Sequence, residues 1–290
     1  MNLETFDALR KTVESRSGPI SYVDVGEGPV TLFVHGVGMN GYLWRNVIEA
    51  LGDERRCLAL DLPLHGHTPA RPDQDFSLTA LAEVVEDFCD ALTLNQIDLV
   101  ANDTGGAVCQ IFAVRHAGRL RTMVLTNCDT HDNVPPEEFM PTVELAASGE
   151  LAPTAGQLVD DPELARTIVY ASTYEHPERL SDEEVRAFLE PVVGSLATAR
   201  QFERLLTSLR AEDLLAVEPQ LKQLQVPTLM VWGTGDTFFD LSWAYWLRDN
   251  IAGAVEVVEI PGARLFFPDE RADELVPHLQ RHWAEHRRAA

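Results

Sequence analysis

Positive charge is scarce in this chain: 23 lysines and arginines stand against 46 aspartates and glutamates, a formal charge of −23 over 290 residues. Nucleic acid and anionic membrane surfaces are polyanions, so neither is expected as a partner, and a neutral or cationic small molecule fits better. Long apolar runs are also missing, since nothing approaches the ~20 residues of a membrane span. The opening Met1-Asn2-Leu3-Glu4-Thr5 lacks the basic and apolar regions of a secretory signal. Cysteine is sparse, with Cys57, Cys89, Cys109 and Cys128 scattered without metal-ligand spacing and three of them in apolar segments, which reads as buried free thiols. A cytoplasmic protein, monomer or homodimer, is the expectation. No Gly-x-Gly-x-x-Gly opens a helix and no phosphate loop is present, so no cofactor is expected.

What the chain does contain is organised around Gln96-Ile97-Asp98-Leu99-Val100-Ala101-Asn102-Asp103-Thr104-Gly105-Gly106-Ala107. Apolar residues at Ile97, Leu99 and Val100 read as a strand. Ala107, Val108, Ile111 and Phe112 then recur at helical spacing, with a small-residue turn between the two patterns. Such a turn exposes its central side chain at a strand tip and aims the next backbone N–H at the same spot. The frame is Ala101-x-Asp103-x-Gly105, so the group presented is a carboxylate where G-x-S-x-G would present a hydroxyl. Asp103 is thus a candidate nucleophile, with a helix-capping Asp as the plain alternative.

Around this elbow the pattern is that of one large α/β domain with an insertion, as 45% hydrophobic and 24% charged residues permit. Strands are predicted at Ile20–Gly26, Val30–Val34, Arg56–Asp61, Thr122–Asn127, Val226–Trp232 and Val255–Ile260, and an amphipathic helix over Leu78–Leu94. From residue 135 to about 224 the pattern is helical throughout. His278, His282 and His286 recur every fourth residue near the C-terminus, which reads as a solvated helix stripe and not as a metal site.

Over nearly its whole length the chain resembles the α/β-hydrolase superfamily, in particular its Asp-nucleophile branch of epoxide hydrolases and haloalkane dehalogenases. The resemblance implies an α/β-hydrolase fold, a mostly parallel sheet flanked by helices. It places the core in 1–134 and 225–290 and an inserted helical cap in 135–224. His35-Gly36-Val37-Gly38 matches the loop that supplies the second oxyanion-hole N–H, here Val37, beside the Thr104 N–H after the nucleophile. His35, Gly36 and Trp44 are then expected on the substrate side. Asp61-Leu62-Pro63-Leu64-His65-Gly66 matches the family's Asp-x-Pro-x-x-Gly segment, with His65 and His67 read as loop-bracing histidines. Asp236 stands at the triad-acid position.

Dehalogenases often carry Asn where Val37 stands and Trp where Thr104 stands, both halide contacts, so halide release has less support here than epoxide opening. Tyr170 and Tyr174, four apart, resemble the cap tyrosines that donate to an epoxide oxygen. The resemblance breaks at the loop after the last strand, where Leu265 occupies the position of the catalytic histidine. His131, on the loop after the strand Thr122–Asn127, is the first candidate to replace it. Otherwise Asp103 acts as acid or base in an elimination or rearrangement, or the pocket binds a small molecule without catalysis.

Overall fold

The computed structural model describes residues 1–286. Eight strands form one sheet, β1 (Arg10–Ser15), β2 (Gly18–Val25), β3 (Val30–Val34), β4 (Arg56–Leu60), β5 (Ile97–Asp103), β6 (Leu120–Cys128), β7 (Thr228–Gly233) and β8 (Ala254–Ile260). Their order is β1-β2-β4-β3-β5-β6-β7-β8. The β1–β2 and β2–β4 pairs are antiparallel, and every later pair is parallel. Parallel strands need crossovers that cover both faces, which is why β3 to β7 are almost continuously apolar and buried.

The strand read from Val30–Val34 has those bounds in the structure, and the others agree to within two residues at nearly every end. β1 was not expected. Its sequence, Arg10-Lys11-Thr12-Val13-Glu14-Ser15, is polar because it lies at the sheet edge with half of its side chains in solvent.

Four helices flank the sheet up to the elbow: α1 (Leu3–Ala8), α2 (Arg45–Leu51), α3 (Leu78–Ala91) and α4 (Thr104–Arg115). α3 starts where the Ser77 hydroxyl accepts the Ala80 N–H, and it buries Leu81, Val84, Val85 and Phe88, the apolar stripe seen in the sequence. α4 is buried on all sides from Thr104 to Ala113, so it runs through the middle of the molecule. Between β6 and β7 the described chain is helical from Glu137 to Leu221. Among the described residues no helix is long and apolar enough to cross a membrane.

The height of β5 in the sheet is fixed at its start by a buried charge. Asp98 accepts from Arg121 Nη2 (2.6 Å), from the Thr122 hydroxyl (2.8 Å) and from Arg55. Removing one cation from such a group leaves a charge in a poorly solvated site, so the register is strongly held. Five residues on, the strand ends at Asp103.

The four cysteines are buried and free. The C-terminal histidines depart from a solvated stripe. His282 is turned inward, with Nε2 3.3 Å from the Pro227 carbonyl. Among the described residues no cluster of three or more metal-ligating groups occurs.

Candidate active site at the end of the central strand

Asp103 takes φ 56° and ψ −139°, a backbone conformation that a non-glycine residue rarely adopts and that costs on the order of 1–3 kcal/mol. The strain reverses the chain from β5 into α4 and leaves the carboxyl at the mouth of the turn. Room for it exists only because its neighbours are small: a Cβ on Gly105 would lie 2.4 Å from the His35 carbonyl oxygen. Opposite, a Cβ on Gly36 would lie 2.1 Å from Asp103 Oδ2.

That Oδ2 atom accepts the Val37 N–H at 2.9 Å, and the Thr104 N–H also bonds to the carboxyl. The two donors approach the carboxyl from the β3 loop and from the start of α4, where the helix dipole adds to their effect. Burial, then the charges of Asp129 and Asp236, nonetheless hold the carboxyl well above the ordinary carboxylate range, because the two N–H bonds offset only part of the desolvation.

The carboxyl opens on a cavity of about 600 Å³. Its floor is Val37, Asp103, Thr104, Asp129, Leu265 and Phe266, and its roof is the helical segment, through Leu158, Leu164, Val169, Tyr170 and Leu189 among others. Leu145 and Ile168, the latter 63% exposed, carry the apolar lining out to the surface. A mostly hydrophobic wall with few polar groups at one end suits a small apolar molecule that reacts at that end. Among the described residues no His, Lys or Arg lines it.

Of the residues singled out in the sequence, the structure gathers Asp103, Val37, Thr104, Tyr170 and Leu265 on this cavity, with Gly36 behind the carboxyl. Leu265 is buried, and its carbonyl accepts from Asn102 Nδ2 at 3.0 Å, which ties its loop to the elbow. Tyr170 is fully buried, at the end of a short π-helix, Arg166–Tyr170, and its hydroxyl has no partner. Asp236 lies just behind the lining, fixed by Asn127 Nδ2 (2.8 Å) and the Phe238 N–H (2.9 Å). Burial raises its carboxyl to about 6 against those bonds.

Five other residues singled out in the sequence lie outside the lining. His131 has φ 54° and swings away, with Nδ1 2.8 Å from Glu218 Oε2 and its ring stacked on Trp246 at 4.7 Å. Trp44 is core, packed on Phe33. His35 sits beneath its loop, accepting the Leu62 N–H at Nε2 (3.0 Å), with Nδ1 2.8 Å from the Gly36 carbonyl. Burial lowers its pKa to about 4, so it is neutral and structural. His65 braces the same loop by accepting the Gly38 N–H, 3.2 Å. Tyr174 donates to Asp269 (3.1 Å) and meets Tyr170 edge-on.

Asp129 is the lining residue that sequence reading passed over. It is 2% exposed, follows the residue paired with Asp103 across β5 and β6, and has the Thr104 side chain near enough to favour its charged form. Burial pushes it up to about 7. The only signal in the sequence was its place directly after an apolar strand, on the rim where open α/β sheets carry their sites.

A strained elbow at a central parallel strand, N–H donors at its side chain and a helical roof have the geometry of a nucleophile elbow. Residues 29–271 match the model of the alpha/beta hydrolase fold family, and the chain belongs to that family. It is 26% identical to haloalkane dehalogenase 2 of Mycobacterium tuberculosis over 267 residues, 90% of each chain. It is also 26% identical to epoxide hydrolase 3 of Xenopus tropicalis over 272 residues, 88% of this chain and 71% of that one. The haloalkane dehalogenase DbeA from Bradyrhizobium elkani has the same fold, with a TM-score of 0.81 at 17% identity over 96% of this chain and 98% of that one.

Proposed function

We propose that this protein is a hydrolase in which Asp103 attacks a carbon of a small hydrophobic substrate and is then freed from the resulting ester by water. The observation that carries the reading is the Asp103 carboxyl itself. Its Oδ2 is held by the Val37 N–H, the Thr104 N–H also acts on the carboxyl, and the site faces a hydrophobic cavity. When water adds to the ester carbon, the oxygen that becomes an oxyanion already sits on the Val37 N–H, with the Thr104 N–H beside it. Residues 135–224 act as the cap that excludes bulk water, over a core of 1–134 and 225–290.

An epoxide suits the cavity better than a haloalkane. A departing halide needs N–H donors in the pocket. The side chains at Val37 and Thr104 supply none, whereas the unpartnered Tyr170 hydroxyl can donate to the alkoxide that leaves carbon when an epoxide opens. A panel of terminal epoxides and short bromoalkanes tests this, with Asp103→Asn as control. Diol formation by the parent, an ester on Asp103 by intact mass and neither in the variant are expected. Faster bromide release than diol formation from every epoxide tried would overturn the substrate ranking. Product without any ester would favour the second reading, in which Asp103, with its raised pKa, serves as acid or base in a non-hydrolytic reaction.

A further inference from the structure

Hydrolysis of an Asp103 ester needs a group that takes a proton from water, and no histidine lines the cavity among the described residues. The lining holds two carboxyls besides Asp103. Glu138 is exposed at the outer end, and Asp129 is buried at the inner end beside the elbow.

Thr104 joins Asp129 to Asp103. Its N–H favours the charged form of Asp103 and its side chain that of Asp129, so one residue at the start of α4 acts on both carboxyls. The β-sheet register does the same from below, because Asp103 pairs with Cys128. A second, independent feature lies in the cavity wall: Tyr170 lines the cavity, and its hydroxyl is buried with no partner in the protein. A buried hydroxyl without a partner is unfavourable by about 1–3 kcal/mol, and a substrate oxygen or water there would satisfy it.

We propose that Asp129 does the work of the missing histidine, acting first as the acid and then as the base of the reaction; the assignment rests on Asp103 being the nucleophile. In the resting enzyme the pair holds one proton. In the reactive form the charge sits on Asp103, where two backbone N–H groups favour it, and the shared proton on Asp129; burial and the charges of Asp129 and Asp236 raise Asp103 against those N–H groups, so this form is drawn from a proton held by the pair. Asp103 attacks an epoxide carbon and the C–O bond breaks. The alkoxide takes the proton of Asp129, directly or through the Tyr170 hydroxyl. Asp129, now a carboxylate, accepts a proton from water as the water oxygen bonds to the ester carbon of Asp103. The tetrahedral oxyanion rests on the Val37 and Thr104 N–H groups. Its collapse expels the diol oxygen, which takes the remaining acid proton from Asp103. The pair ends with one proton, as it began, and one water has been added to the epoxide.

The groups around Asp129 are consistent with this cycle. Burial keeps the Cys128 thiol and the Tyr170 phenol neutral, and the Asp236 carboxyl adds to the negative field that holds a proton on the pair. Esterification of Asp103 removes its charge, which lowers the affinity of Asp129 for its proton at the moment when it must give that proton to the alkoxide.

The test uses styrene oxide, rapid quench and intact mass on four proteins: the parent, Asp129→Asn, Asp129→Glu, and Asp129→Asn combined with Leu265→His. In the parent the Asp103 ester is expected to form and disappear. In Asp129→Asn it should form more slowly, because the acid is lost, and then persist, with decay slower by about 10²–10⁴-fold, the usual contribution of a general base. The rise of the decay rate with pH expected in the parent should be lost in Asp129→Asn, a change that a merely structural carboxyl would not produce. Asp129→Glu should recover part of the rate, and Leu265→His should restore a base from the other side of the cavity. Decay at the parental rate in Asp129→Asn would overturn the role of Asp129 and leave Asp103 standing. Absence of an ester in all four proteins, with styrene oxide turned over or not, would overturn the nucleophile reading and this inference with it.

Discussion

Replacing Asp129 with Asn should stabilise the fold, by an amount that depends on pH. In the folded chain burial raises this carboxyl from 3.8 to about 7. Each unit corresponds to about 1.4 kcal/mol, so the charged form is disfavoured by on the order of 4 kcal/mol, part of it shared with Asp103. The amide is neutral, keeps an acceptor for the Thr104 hydroxyl and can donate to Asp103, so roughly 2–4 kcal/mol should be recovered where the native pair would be fully ionised. The sign follows from the raised value. Near pH 4 the carboxyl is largely neutral when folded and little is gained, whereas the destabilisation grows through the window from 3.8 to about 7 and is complete above it. For a chain of this size the expected rise in Tm is roughly 4–8 °C near pH 8. Differential scanning fluorimetry at both pH values measures it. A rise that is equal at the two, or a fall near pH 8, would refute the claim that Asp129 is a buried carboxyl held above its ordinary value.

Two further outcomes follow from the same geometry. Tyr170→Phe removes a hydroxyl that bonds to nothing in the protein, so Tm should be unchanged or higher, while diol formation drops by at least about tenfold through loss of the donor; a stability loss without a rate effect would contradict its placement. Gly36→Ala puts a Cβ 2.1 Å from Asp103 Oδ2, so the carboxyl must leave the Val37 N–H, and kcat should fall by about 10²-fold or more, as when an oxyanion donor is lost.

The elbow was legible in the sequence because every part of it is local: an apolar strand, small residues at Ala101 and Gly105, and helical spacing after Thr104. The parallel strands were legible for a similar reason, since burial on both faces leaves a continuous apolar run. β1 was not, because an edge strand with half of its residues exposed carries no such run. Asp129 escaped because its meaning depends on the pairing of β5 with β6, which sets Cys128 beside Asp103, and pairing across a sheet leaves no trace in either segment alone. His131, two residues further on, was the better guess from chemistry. The left-handed turn at that residue aims it instead at Glu218 and Trp246. Tyr170 and Tyr174 look equivalent in the sequence and part company in the fold, because Asp269 lies within reach of the second hydroxyl and nothing lies within reach of the first.

The central claim is that a water oxygen adds to the Asp103 carboxyl carbon, and turnover in water enriched in heavy oxygen tests it most directly. After several turnovers with styrene oxide, proteolysis and mass analysis of the peptide that contains Asp103 should show heavy oxygen in that side chain. The diol from a first, single turnover should carry the oxygen that Asp103 held before labelling. If the diol is labelled from the first turnover and the Asp103 peptide never is, water attacks the substrate itself, and Asp103 is not the nucleophile.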